Sequence, residues 1–125
     1  MKVWVAIALG SAVGGLLRYL STVVVVAGLG QSALWATALV NPLGSLLIGY
    51  FAAVAGPQGA RPVGTTLYLG VTVGFFGGFT TFSILSLETL NLLIDGRAGL
   101  AAINIGGSLL LSLLAVWYGF RFGMR

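Results

Sequence analysis

The residues of this chain that could do chemistry are few, and nearly all are hydrogen-bonding groups without charge. There is no His and no Cys, and the two acids, Glu88 and Asp95, stand against six basic residues. Thiolate or imidazole metal sites and the usual nucleophile–base pairs are therefore excluded. Inside long apolar stretches lie, among other hydroxyls and amides, Asn41, Thr80, Thr81, Asn104, Ser108 and Ser112, with one cation, Arg18, and one carboxylate, Glu88. Amide and hydroxyl groups can donate to a small ion in place of water. Backbone carbonyls turned inward by an interrupted helix can hold a hard cation. Neither acid has a partner at catalytic spacing, so an enzyme is the least favoured reading.

The elements that must position these groups are membrane spans. Of the 125 residues 58% are hydrophobic and 6% are charged, and the mean hydropathy is +1.09. A soluble domain carries about 25% charged residues. The net charge of +4 is assigned to the membrane-flanking ends rather than to nucleic-acid binding. Apolar segments run over about 3–27, 33–55, 63–94 and 98–120, each long enough for a hydrocarbon core of about 30 Å. The first begins like a signal peptide after Met1-Lys2. It is longer than a signal sequence needs and opens a four-segment pattern, so it reads as a retained helix. The expected fold is an all-α membrane protein.

Each span carries its own irregularity. In the first, Gly10 and Gly14, and Ser11 and Gly15, are four apart, a spacing that lets helices approach closely. Arg18 lies too deep to be ignored, since intramembrane charges face a cavity or a partner. It reads either as a snorkelling side chain or as a cation at a water-filled vestibule. In the second, Asn41 is either interhelical glue or a pore-lining donor, and Pro42 beside it removes a backbone bond and should bend the helix. The third, as one helix, would be about 48 Å long, against a core of about 30 Å. Gly74-Phe75-Phe76-Gly77-Gly78-Phe79-Thr80-Thr81-Phe82-Ser83 is a poor recipe for continuous helix and predicts a break. Glu88 falls toward the wet end of that span. In the fourth, Asn104, Ser108 and Ser112 share one face at a spacing of four. Trp4, Trp117 and Tyr118 fit an interfacial belt. Four spans put both termini on one side with Lys2, Arg61, Arg121 and Arg125, so the charge count leans towards termini-in.

These residues resemble a known family. Gly77-Gly78-Phe79-Thr80-Thr81-Phe82-Ser83 followed by Leu87-Glu88 looks like the third-helix signature of the small fluoride channels, the Fluc (CrcB-type) family. Asn41 with Gly44-Ser45 is similar to its second-helix motif, and Gly14-Gly15 with Arg18-Tyr19 to its first. The resemblance implies a dual-topology antiparallel homodimer in the cell membrane, with a broken third helix, two fluoride pores and one structural sodium ion. By motif position, the backbone carbonyls of Gly77 and Thr80 would hold the sodium. Asn41, Thr81, Phe82, Ser108 and Ser112 would line the fluoride pores, with Arg18 and Glu88 at the vestibules. One residue departs from the pattern: where the family commonly has a second Phe three residues after the first, this chain has Leu85.

Two other readings compete. A small multidrug exporter shares the size and four spans, but that export calls for a membrane carboxylate, typically in the first helix, where this chain has Arg18. A non-transporting assembly subunit explains the glycines, but not the buried amides and hydroxyls together with an interrupted third span. The departure at Leu85 has a direct test. Leu85→Phe, which completes the aromatic pair, is expected to speed ion flux through reconstituted protein, and unchanged flux would show that the second ring is dispensable.

Overall fold

The computed structural model describes all of the chain, Met1–Arg125, and it is helical throughout. Helix α1 (Lys2–Val23) continues into a π-helical turn at Val24–Gly28, and the chain reverses at Gly30, whose φ of 63° suits a residue without a Cβ. Ser32 caps α2 (Ala33–Ala55) by accepting from the Leu34 N–H at 3.3 Å. Helix α2 stays continuous through Pro42. The loop after it folds back on its C-terminus, with the Arg61 N–H donating to the Val54 carbonyl at 2.8 Å.

The third span, Thr65–Ile94, is assembled from pieces. Helix α3 (Thr65–Leu69) leads into a π-helical stretch at Gly70–Phe76 and then α4 (Gly77–Phe79). Thr80 and Thr81 are extended, with φ, ψ of −84°, 158° and −153°, 116°. Helix α5 (Phe82–Ile94) follows. It closes on Gly96, at φ 73°, with the Arg97 N–H donating to the Leu92 carbonyl at 2.8 Å and the Gly96 N–H to Leu93 at 3.0 Å. This is the bond pattern that satisfies the last carbonyls of a helix. Helix α6 (Ala98–Gly123) completes the chain and runs three residues past the boundary expected from the sequence. Four stretches are long and apolar enough to cross a membrane: Lys2–Gly28, Ala33–Ala55, Thr65–Ile94 and Ala98–Gly123.

The spans pack as two pairs, α1 against the third span and α2 against α6. Glycine makes both contacts. A Cβ on Gly14 would strike the Phe75 carbonyl oxygen, and one on Gly78 would lie 2.5 Å from the Ser11 carbonyl oxygen. In the other pair, a Cβ on Gly49 would strike the Val116 carbonyl oxygen and one on Gly119 that of Leu46. Such pairing suits a membrane, where burying Leu against Leu gains little over lipid and close van der Waals packing drives association. Gly44 joins the pairs, since a side chain there would meet the Thr80 methyl group and the Phe79 ring. Only 21 of 125 residues are buried, and Leu110, Leu113 and Phe122 lie open, so most of the apolar surface faces lipid or another chain.

These contacts have a direct consequence. Gly119→Leu is expected to destabilise the protein by about 1–3 kcal/mol or more through overpacking against backbone. Gly99→Ala, with nothing within 4 Å of the added methyl, is expected to leave the unfolding midpoint in detergent unchanged. Equal midpoints for the two variants would remove the backbone contact at Gly119 as a source of stability.

Candidate functional site

The site begins with one amide. Asn41 is buried on α2 and faces the extended Thr81. Its Oδ1 accepts from the Thr81 N–H at 2.8 Å, and its Nδ2 donates to the Thr81 carbonyl at 3.0 Å. The side chain thus pairs with Thr81 as a neighbouring strand would. It satisfies both backbone groups where water cannot. Asn41 is at once a cavity-lining residue and the clamp on the extended segment.

The clamp changes what the neighbouring backbone can do. In a continuous helix the Thr81 N–H would bond to the Gly77 carbonyl; here it belongs to Asn41. The turn before it closes on Phe76 instead, whose carbonyl accepts from the Thr80 N–H at 2.9 Å and from Thr80 Oγ1 at 2.8 Å. Thr81 Oγ1 caps α5 by accepting from the Ile84 N–H at 3.3 Å. Gly77 is exposed, and a Cβ there would meet nothing within 4 Å. Its oxygen is a hard donor without a helical partner. No group of three or more His, Cys, Asp or Glu is gathered anywhere.

Below the clamp lies a cavity of about 180 Å³. It brings together Asn41, Thr81, Phe82, Ser108 and Ser112, all five residues expected to line a pore, and adds Thr80, Ser45, Leu85 and Leu109. No charged side chain lines it. Ser108 is buried and Ser112 half-buried, and neither hydroxyl is bonded to protein, so both are free to donate into the space. The Phe82 ring is 64% exposed, whereas Leu85 is 2% exposed and packs at the wall. Across the extended residues Phe82 parts from Phe75 and Phe79, which remain stacked at 6.0 Å.

The two charged residues expected at vestibules are used differently. Arg18 Nε donates to the Gly78 carbonyl at 3.2 Å, in the last turn before the extended residues. The rest of its side chain borders a space of about 20 Å³ with Thr22, Thr37 and Thr81. Glu88 turns inward rather than to the wet end of the span: its Oε1 accepts from Thr37 Oγ1 at 2.8 Å, while Oε2 is buried without a partner. Thr37 therefore stands between the two charges. The sequence analysis assigns Thr37 no role, and Ser45 enters it only through the second-helix motif. The signal was present, because Thr37, Asn41 and Ser45 repeat every four residues along α2, as Asn104, Ser108 and Ser112 do along α6.

A short four-span membrane protein, with an uncharged polar cavity beside two extended residues of its third span, is the class these features define. A sequence model described as "CrcB-like protein, Camphor Resistance (CrcB)" matches residues 5–120, and the chain belongs to the CrcB family. It is 46% identical over 119 residues to the fluoride-specific ion channel FluC of Opitutus terrae, covering 95% of this chain and 90% of that one. It is 44% identical over 123 residues to a protein of the same name from Thermus thermophilus, covering 98% and 96%. A fluoride-specific ion channel FluC 1 from Rhodopseudomonas palustris is 47% identical over 113 residues, 90% of this chain and 80% of that one.

The hydrogen bonds separate two kinds of cavity residue. Asn41→Ala strips two backbone groups of their partners and is expected to destabilise the protein, at about 1–3 kcal/mol for each group left unsatisfied. Ser108→Ala breaks no protein bond and is expected to shift stability by less than about 0.5 kcal/mol. Unfolding midpoints in detergent decide the matter, and equal losses would dissolve the distinction.

Proposed function

We propose that the protein is the subunit of a fluoride channel that lets cytoplasmic fluoride leave down its electrochemical gradient through the cell membrane. The observation that carries the reading is the pair of unbonded hydroxyls, Ser108 and Ser112, facing Asn41, Thr81 and Phe82 across an uncharged cavity. The names of the relatives at 44–47% identity support the choice of ion.

Fluoride is small and holds its water tightly, so a pore must supply donors in its place. The Ser108 and Ser112 hydroxyls do this directly. The Asn41 amide has one N–H committed to Thr81 and a second N–H to offer. The Phe82 ring presents the positive edge of its quadrupole to an anion. The lack of fixed charge in the cavity suits conduction, because a site that attracts an ion must also release it. Arg18, at the narrow space beside Thr81, favours anions over cations at the approach.

The working unit in this reading is an antiparallel homodimer with two pores. Its support is the resemblance at Gly77–Ser83 and the exposure of Gly77 beside the extended residues. A structural sodium ion on the dimer axis fits the donors present. Gly77 and Thr80 offer hard carbonyl oxygens beside the extended residues, and two copies together would supply four. When bound, the ion would screen those oxygens from one another and tie the two chains together.

The test is fluoride efflux from liposomes containing the purified protein, with chloride for comparison. The wild type is expected to release fluoride and to retain chloride. Phe82→Ala and Ser108→Ala are expected to slow fluoride release while leaving the oligomer intact on size-exclusion chromatography. Wild-type protein that passes no fluoride would end this reading.

A further inference from the structure

The polar stripe of α6 divides in two. Ser108 and Ser112 face the cavity, but Asn104, one turn earlier, does not line it. Its Nδ2 donates to Thr89 Oγ1 at 3.0 Å, and Thr89 Oγ1 donates in turn to the Leu85 carbonyl at 2.7 Å. Thr89 is buried. No other side-chain hydrogen bond attaches α6 to the rest of the protein. The far half of α6 is held differently, by backbone contact with α2 at Gly119, where a side chain would strike Leu46. Helix α6 is thus held by one polar bond, near Asn104, and by steric contacts at the buried Ala101 and, against α2, at Val116, Gly119 and Gly123.

We propose that Asn104 is a positioning residue of the pore: through its bond to Thr89 it sets the rotation of α6 that aims Ser108 and Ser112 into the cavity. This rests on the reading of that cavity as a fluoride pore. The physical reason lies in the surroundings. In the near half of α6 only Ala101 and Ser108 are buried, and an apolar contact fixes a helix rotation less sharply than a directed hydrogen bond does. An amide in hydrocarbon is strongly disfavoured without a partner, so one bond can select one rotation. Thr89 is placed to accept because its own proton is already directed to the Leu85 carbonyl, and bonds in such a chain strengthen one another. Leu85 lines the cavity wall, so one chain of bonds ties both walls together.

The experiment compares fluoride and chloride efflux from liposomes for wild type, Asn104→Leu, Thr89→Val and the double variant. Each single variant is expected to lower the fluoride-to-chloride ratio about tenfold, since misplacing a binding group by about 1 Å can have effects of about 100-fold. Fluoride flux is taken per folded protein recovered on size-exclusion chromatography, against the chloride leak of the same liposomes, so a loss of folded protein alone leaves the ratio unchanged. Because Asn104 acts through Thr89, the double variant is expected to be no worse than either single one. Multiplying effects would make Asn104 an independent pore residue and overturn the inference, as would an unchanged ratio in both single variants. Should Asn104→Leu fail to fold, Thr89→Val, which keeps the side-chain shape, decides alone. Wild-type protein that passes no fluoride would instead remove the pore, and this inference with it.

Discussion

The centre of this protein depends on one constraint: the backbone N–H and carbonyl of Thr81 must be satisfied away from water. The Thr81 N–H and carbonyl fall outside the helix ladder, and lipid offers no substitute. The Asn41 side chain meets the need alone, with bonds of 2.8 and 3.0 Å to the two groups. Everything nearby follows from that. Gly77 keeps an unpaired carbonyl, Thr80 closes the preceding turn on Phe76, and Thr81 caps α5. Phe82 then leaves the face shared by Phe75 and Phe79 and turns to the cavity.

The clamp works only because the spans bearing it are held close. Gly44 gives Thr80 and Phe79 room against α2, and Gly14 and Gly78 bring α1 and the third span into backbone contact. Such contacts leave little freedom to slide, since Gly14 and Gly78 each sit over a carbonyl of the neighbouring span. The polar groups can then meet at hydrogen-bond distance. Arg18 reaches the Gly78 carbonyl, Thr37 reaches Glu88, and Asn104 reaches Thr89. Small residues provide proximity and polar residues provide register, a division suited to lipid, where apolar side chains supply neither.

Much of this was legible in the chain. Length and hydropathy mark four spans because crossing the hydrocarbon core demands about 20 apolar residues in a row. The glycine spacings mark the contact faces because only small residues at intervals of four let helices touch. The five cavity residues could be named from motif resemblance together with the spacing of Ser108 and Ser112 on one helix face. Where the residues serve two purposes, sequence was less informative. Asn41 read as glue or as pore wall, and it lies on the cavity while clamping Thr81. Glu88 read as a residue at the wet end, and it bonds inward to Thr37. Thr37 itself was passed over, although its spacing from Asn41 and Ser45 was visible.

By itself the sequence determined the class of the protein: a chain too apolar for water, divided into four spans, without histidine or cysteine. Those properties depend on composition and local periodicity, which a linear chain carries in full. Only the tertiary structure decided which polar groups are bound to one another and which stay free. Asn104, Ser108 and Ser112 have identical spacing on one helix, yet one bonds to Thr89 and two face the cavity. The difference lies in what stands opposite each of them. A hydrogen bond is a matter of a few tenths of an ångström between residues far apart in the chain, and periodicity along one helix cannot supply it.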